Sequence, residues 1–440
     1  MSVLQMPKKV VQADHLEMLA EQAIARKMGM MNHRERVDLY IRQHRGVSGG
    51  SAGAGSLTPQ QLNILQRQAV IAQAVEMTQQ IFSQTIAAPT AGNNVVIVTP
   101  RNVGLIKKFI VEISGTYTSV GTPVPTAFGL SNLLSNVLFS DLNNNQRINT
   151  NGPHLAILKQ VKHKTSDPAS TPVSQSQSDA GMVAGEFIAA AALPNFPVIV
   201  YPMPATSAAA FRGVFEIPVA YSDNDLRGGI YANVVNATMQ LQLTLNPNPA
   251  PGTTDTTLAV WGTATGAITN VTVTVYQVYL DQLPVGNAGV VLPILDLSTV
   301  YELKTTNFTA MVAAQDFPVP YANFRDFLST LAVFNSTGLT AGLKNGSDVN
   351  YWALQSANFT NIWKIDPLLA AQITREIIQS DLPLGTYYFS HRKKPISTTQ
   401  YGNMQLILNA ASVAGTPYLL ISWEDFALVN TLTQAGSLAG

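Results

Sequence analysis

From Asn93 onward, apolar and polar residues alternate with a period of two, in short runs separated by turn residues. That is the pattern of half-buried β-strands. Phe109, Val111 and Ile113 alternate inside a long strand expected over residues 103–118. Further strands are predicted at Val95–Val98, Leu133–Phe139, Leu155–Val161, Val198–Tyr201, Gly213–Tyr221, Thr238–Leu245, Thr257–Trp261 and Ile268–Leu280. A second series follows at Val290–Leu295, Thr309–Ala314, Leu328–Phe334, Tyr351–Leu354, Gly385–Phe389, Met404–Leu408 and Tyr418–Trp423. One helix interrupts it: Asp366 suits the N-cap, Pro367 the first turn, and Leu369, Ile373 and Ile377 share a face. The polar, unpatterned stretch Ser166–Ala180 reads as a long exposed loop. Many short strands without a βαβ rhythm predict antiparallel sandwiches, an all-β fold.

The two series meet at Tyr276–Leu303. Pro284, Gly286 and Gly289 break the apolar pattern there, and Asp281 and Asp296 flank the break. We read these five residues as an inter-domain hinge that sets geometry.

Upstream of Asn93 the period changes to that of helices. Asp14 with Glu17, and Asn32 with Glu35, have capping-box spacing. Arg26, Lys27, Arg34, Arg36, Arg42 and Arg45 lie on the polar side of the two helices these caps would start. Such a face suits an anionic membrane surface, nucleic acid or a protein neighbour. Gly46–Gly55 is a Gly/Ser linker. Thr58, Pro59 and Gln61 then form a strong helix start. Leu57, Ile64, Ile71, Val75, Ile81 and Phe82 are expected on one apolar face of a Gln-rich helix that follows.

Composition sharpens this picture at three points. The 440 residues allow two or three domains. Charged residues are 12 %, against about 25 % in an average soluble domain. A surface so poor in charge is expected to be covered by other subunits. The formal net charge of zero gives no global pull toward nucleic acid or anionic lipid. There are no cysteines, which excludes disulfides and thiolate metal sites. Prolines 194, 197, 202 and 204 interrupt the Ala-rich stretch Phe187–Phe211, so it does not read as a membrane span.

Candidate chemistry is thin. Asp141–Asn145 begins like a calcium loop, but Gln146 stands where the loop needs Gly and Gly152 where it needs Glu. Asp223 and Asp225 read as a capped turn before Gly228 and Gly229. Arg392-Lys393-Lys394 reads as a solvated basic loop. The six histidines have no metal spacing, and no nucleophile elbow, P-loop or dinucleotide fingerprint occurs. No catalytic, cofactor or metal site is assigned, and an enzyme is not expected.

The hinge carries a resemblance. YQVYLDQLPVG at Tyr276–Gly286 and LPILDLSTVY at Leu292–Tyr301 resemble the major capsid proteins of tectiviruses, tailless icosahedral phages with an internal membrane. LTPQQ at Leu57–Gln61, TPRNVGLIKKF at Thr99–Phe109 and NNQR at Asn144–Arg147 agree in the same order. So do VAYSDNDL at Val219–Leu226, YANFRDFLSTLAVF at Tyr321–Phe334, ANFTN at Ala357–Asn361 and QYGN at Gln400–Asn403. The similarity runs from about Leu57 to Phe426, and residues 1–55 have no counterpart in it.

The resemblance implies a double jelly roll, two eight-stranded sandwiches in one chain. The expected division is a basic helical extension and linker at 1–55, the Gln-rich helix at 56–89, jelly rolls at 90–283 and 284–430, and a tail at 431–440. It further implies a homotrimer of pseudo-hexagonal outline that tiles a virion capsid assembled in the host cytoplasm. Implied partners are neighbouring trimers, penton and minor capsid proteins and the internal viral membrane, with no sequence-specific nucleic-acid binding. The Gln-rich helix would lie at the inner face. The alternatives are a minor vertex or spike protein and a glycan-binding β-sandwich.

Overall fold

The computed structural model describes residues 70–71, 73–90, 92–120, 128–163, 209–223, 225–232, 238–246, 259–260, 265–283, 299–336, 348–378 and 385–428. The chain divides into two units. The first comprises Met1–Val75 and Gln282–Leu295; its described part is a helical turn, in which the Ala74 amide donates to the Val70 carbonyl, followed by Val75, and the residues Gln282 and Leu283. The second comprises Glu76–Asp281 and Asp296–Gly440 and carries both series of strands.

In the first series the strands are β1 (Val75–Ile86), β2 (Val95–Val98), β3 (Leu105–Val120), β4 (Leu134–Ser140) and β5 (Gln146–Thr150), then helix α1 (Gly152–His163). β6 (Ala209–Pro218), β7 (Ile230–Tyr231), β8 (Gln240–Leu245) and β9 (Thr265–Asp281) complete it. The second series has β10 (Thr299–Phe308), β11 (Asp316–Pro320), β12 (Arg325–Asn335), β13 (Val349–Ser356) and β14 (Phe359–Ile365), then helix α2 (Pro367–Ile378). β15 (Thr386–Ser390), β16 (Ile396–Ser397), the short α3 (Thr398–Tyr401), β17 (Met404–Ala410) and β18 (Tyr418–Leu428) follow.

The two series are the same fold made twice. The first half pairs its strands as β1-β9-β3-β6 and β5-β4-β8-β2, the second as β10-β18-β12-β15 and β14-β13-β17-β11. Adding nine to a strand number of the first half gives its counterpart in the second. The rule extends to the small strands, since β7 pairs with β3 and β16 with β12. Each half is a sandwich of two four-stranded antiparallel layers, with a helix between the fifth and sixth strands. That is a double jelly roll. The alternation seen in the sequence is the cause: Val111 and Ile113 of β3, and Val273 and Val275 of β9, are fully buried while their neighbours are partly exposed. In the second half Trp352, Leu406, Leu408 and Ile421 fill the corresponding core.

One strand contact crosses from half to half. β10 pairs with β5 in parallel, setting Leu303 opposite Ile148 and Lys304 opposite Asn149. A single nine-stranded sheet therefore runs through both halves.

Several expectations need correction. The Gln-rich helix does not continue to Ile86. Val75, Ile81 and Phe82 lie on strand β1, whose Ser83 and Thr85 hydroxyls meet Thr274 and Thr272 of β9. Val, Thr, Ile and Phe recur through this segment, and a strand partner outweighs weak helical propensity. Ile71 does fall in the helical turn; Leu57 and Ile64 lie outside the described residues. Leu155–Val161 is helix, not strand, because Asn151 caps it, accepting the His154 amide at 3.0 Å. A short apolar run buried on all sides cannot be assigned by period alone. Thr309–Ala314 is not a strand: Ala314 has φ 59°, and pairing starts at Asp316. β5, β10 and β14 went unpredicted, each having polar residues on one face. The α2 cap is as expected, Asp366 Oδ1 accepting the Leu369 amide at 2.8 Å.

Candidate functional site: the junction between the two halves

The residues that join the halves come from five elements. Lys162 sits near the C-terminal end of α1, Tyr301 on β10, Ser329 on β12, Glu424 on β18 and Arg392 just after β15. Glu424 is fully buried. Its Oε1 accepts the Tyr301 hydroxyl at 2.7 Å. Its Oε2 accepts the Ser329 hydroxyl at 2.8 Å and Nη2 of Arg392 at 2.6 Å. Lys162 of the first half reaches across, donating to the Tyr301 oxygen at 3.0 Å and lying 3.6 Å from Oε1 of Glu424.

A buried carboxylate is tolerated only when paired and hydrogen-bonded. Burial opposes the Glu424 charge, but Arg392 and Lys162 outweigh it and bring the carboxyl down to about 2. Burial lowers Lys162 to about 8, with Glu424 holding it from falling further. Two cations thus face one carboxylate. Aromatic rings supply part of the balance. The Lys162 nitrogen lies 4.7 Å from the Tyr301 ring centre and 5.3 Å from that of Tyr221, and Arg227 lies 4.4 Å from that of Phe426. Tyr221, Tyr301 and Phe426 pack on one another with centroids 5.5 to 6.0 Å apart.

Beside this cluster a chain of hydroxyls crosses the same join. His154 Nδ1 meets Thr150 at 2.7 Å, Thr150 meets Thr305 at 3.0 Å, and Thr305 meets Ser422 at 2.8 Å. Burial keeps His154 neutral, lowering it to about 3. A second ion cluster binds β10, β12 and β18: Arg325 holds both Glu302 and Asp425, and Lys304 meets Glu302 at 2.6 Å. Burial pushes Asp425 up to about 7 despite Arg325.

Backbone fit closes the junction. Gly228 has φ 86°, and its carbonyl accepts Nη1 of Arg147 at 2.9 Å. A Cβ there would stand 2.3 Å from Cβ of Tyr301. Gly228→Ala is expected to destabilise the protein by about 1–3 kcal/mol, through the left-handed backbone and the clash together. Urea unfolding of the variant beside the parent protein checks this, and an unchanged midpoint would show that the loop yields freely.

The carboxylates considered from sequence are all engaged within the chain. Asp141 Oδ1 accepts the amides of Asn143 and Asn145, and its Oδ2 accepts Nε of Arg147 at 2.6 Å. Asp223 pairs with Lys107 at 2.9 Å, and Asp225 with Arg227 at 2.6 Å. Among the described residues no three His, Cys, Asp or Glu side chains gather in a way that could hold a metal ion. No helix among them is long and apolar enough to cross a membrane.

Of the hinge residues, Asp281 ends β9 and is exposed. Pro284, Gly286, Gly289 and Asp296 lie outside the described residues, as do Arg26, Lys27, Arg34, Arg36, Arg42 and Arg45. Arg392 corrects the solvated-loop reading, since its guanidinium is turned inward on Glu424. Sequence reasoning missed Glu424, Tyr301 and Lys162. A signal was present: Glu424 and Asp425 interrupt an otherwise apolar strand, and charges in a core strand demand partners.

Comparison with known proteins agrees with this architecture. The P3 major capsid protein N-terminal family matches residues 51–283, and the C-terminal family matches residues 298–440. The major capsid protein P3 of Enterobacteria phage PRD1, a tectivirus, is 34% identical over 390 residues, covering 86% of this chain and 94% of that protein. Among solved structures, the STIV MCP superposes with a TM-score of 0.54 at 14% identity, over 80% of this chain and 97% of that one. A chain of the atomic structure of Sulfolobus Turreted Icosahedral Virus gives 0.54 at 13% identity, over 80% of this chain and 91% of that one. Sequence profiles over both halves and the doubled sandwich give one answer: the chain belongs to the P3 major capsid protein family.

Proposed function

We propose that this major capsid protein builds the virion shell from homotrimers, each a six-lobed tile. The observation that carries the reading is the duplicated fold. Two halves of one design, joined side by side, make three chains equivalent to six similar sandwiches. A three-fold ring can then occupy a six-fold lattice position, because closed cyclic symmetry needs only one repeating interface. The low charge content fits a surface largely covered by neighbours. In this reading the trimer contacts neighbouring trimers, and penton and minor capsid proteins at the vertices. Residues 1–74 lie toward an internal membrane, with Arg26, Lys27, Arg34, Arg36, Arg42 and Arg45 against its anionic surface. The hinge residues Asp281, Pro284, Gly286, Gly289 and Asp296 supply the connection, assembly takes place in the host cytoplasm, and the chain works by geometry without catalysis.

Native mass spectrometry of the purified protein tests the tile. A dominant species of three chains at micromolar concentration is expected. A monomer, or a species of two or four chains, would overturn it.

A further inference from the structure

The join within the chain leaves two strand edges without a counterpart. β5 and β10 are end strands of their own sheets, and they satisfy each other by parallel pairing. Under the strand correspondence between halves, β5 matches β14 and β10 matches β1. Both β14 and β1 are end strands whose outer edge pairs with no strand among the described residues. Both are mostly exposed along their length. Open edges of this kind are templates for another chain.

The helices show the same asymmetry. α1 is buried from Gly152 to Leu158, and its third residue His154 is fully covered at the junction with the second half. α2 starts identically, with a capping side chain that accepts the amide three residues on in each case. Its second and third residues, Leu368 and Leu369, are 80% and 43% exposed. A surface that a neighbouring sandwich covers in the first half is bare and apolar in the second.

We propose that β14 of one copy pairs in parallel with β1 of a second copy, repeating between chains the β5–β10 join made within each chain, and that Leu368 and Leu369 are buried by this contact. The inference rests on the trimer reading and supplies its interface. Repeated head to tail, the contact is heterologous, and it closes into a ring where the rotation permits.

The internal repeat also fixes the register. The caps align Asn151 with Asp366, so Ile148 corresponds to Trp363 and Asn149 to Lys364. On the other side, β3 and β12 each carry a bulge, between Ile106 and Lys108 and between Phe327 and Ser329. This aligns Val278, opposite Lys108, with Glu424, opposite Ser329. Leu303 lies opposite Glu424. The Ser83–Thr274 and Thr85–Thr272 contacts, continued down the strand, place Gln79 opposite Val278. Gln79 therefore corresponds to Leu303 and Gln80 to Lys304. The expected pairs are Gln79 with Trp363 and Gln80 with Lys364 of the second copy.

The cysteine-free chain makes this testable. Gln80 and Lys364 are both exposed, and facing residues on paired strands stand about 5 Å apart, within disulfide reach. The full-length variant Q80C/K364C, oxidised under mild conditions, should lose most of its monomer band on a non-reducing denaturing gel and form covalent two- and three-chain species. The variant Q80C/V312C, whose second cysteine lies outside β14, should stay monomeric on the same gel. Hydrogen exchange of the unmutated protein gives a second readout: β1 and β14 amides should be protected in the oligomer. A three-chain species by native mass with no Q80C/K364C cross-link and freely exchanging β14 amides would overturn the pairing while leaving the trimer intact. Absence of any three-chain species would overturn both.

Discussion

Glu424→Ala is expected to cost about 3–5 kcal/mol of folding stability, because it leaves Lys162 and Arg392 as buried cations without their carboxylate. The effect should be large because the partners belong to different halves. Lys162 comes from α1 of the first sandwich, while Tyr301, Ser329 and Arg392 come from the second. Losing the carboxylate should loosen the docking of one half on the other as well as the local packing. Denaturant unfolding monitored at both ends of the chain would show this as a lowered midpoint, and a second transition would mark separation of the halves. Adding Arg392→Met should recover part of the loss, since removing both partners of a buried pair costs less than removing one. An unchanged midpoint for Glu424→Ala would mean that the join rests on strand pairing and apolar contact alone.

Stability should also fall steeply as pH drops from 6.5 to 4. Burial holds His154 at about 3 and His391 at about 4 in the folded protein, below the value near 6.5 of a free histidine. Each contributes stability that is complete above pH 6.5 and is lost as pH falls toward its folded value. Asp425 acts in the opposite sense. Its folded value of about 7 lies above 3.8, so its contribution is present below 3.8 and is lost as pH rises toward 7. Between pH 6.5 and 4, unfolding takes up two protons at the histidines and releases one at Asp425. The net uptake of one proton amounts to about 1.4 kcal/mol per pH unit, or about 3 kcal/mol across the window. Glu424, at about 2 when folded against 4.5 when free, adds a further loss as pH falls below 4.5. Urea midpoints measured from pH 7 to 4 give the slope. His154→Gln should flatten it, whereas a flat profile in the parent protein would contradict the burial of the two histidines.

What the sequence revealed, and what it hid, follows from the range of the interactions. The alternation of β9 and β3 is local, so strands near Ile268–Leu280 and residues 103–118 were legible. The α2 start was legible because its cap, Asp366 before Pro367, is written within four residues. The same logic was available at Asn151-Gly152-Pro153, but the apolar run after it imitates a buried strand. β1 was misread because its sequence is weakly helical and only pairing with β9, nearly two hundred residues away, makes it a strand. The join itself was the least legible feature. Glu424 takes its hydrogen-bond partners Arg392 and Tyr301 from 32 and 123 residues away and pairs with Lys162 from farther still, and no spacing rule connects them. β9 ends at Asp281 and β10 begins at Thr299. What the described residues show holding the halves together is β5 against β10 and the buried ion cluster, features that lie at a distance from Asp281 in sequence.

The duplicated fold also shows how a polar sheet face comes to be buried. The outer face of the second half's sheet is polar at Ser329, Ser422 and Glu424, yet fully buried, because the first half covers it. The corresponding face of the first half carries Thr272 and Thr274 on β9, with the ion pairs Lys108–Glu216 and Arg212–Glu112 on β3 and β6 beside them, and is the face a second copy would cover. Hydroxyls and charges already paired within the chain can be buried at modest desolvation cost, whereas an unpaired lysine or glutamate there would need a new partner.

The most direct measurement of the central claim, that one chain is two equivalent blocks of a closed ring, is electron microscopy of the purified oligomer viewed down its symmetry axis. The account predicts a three-fold ring with six lobes of similar size, in which within-chain and between-chain junctions look alike. A two-lobed particle, or a two-fold assembly, would contradict it.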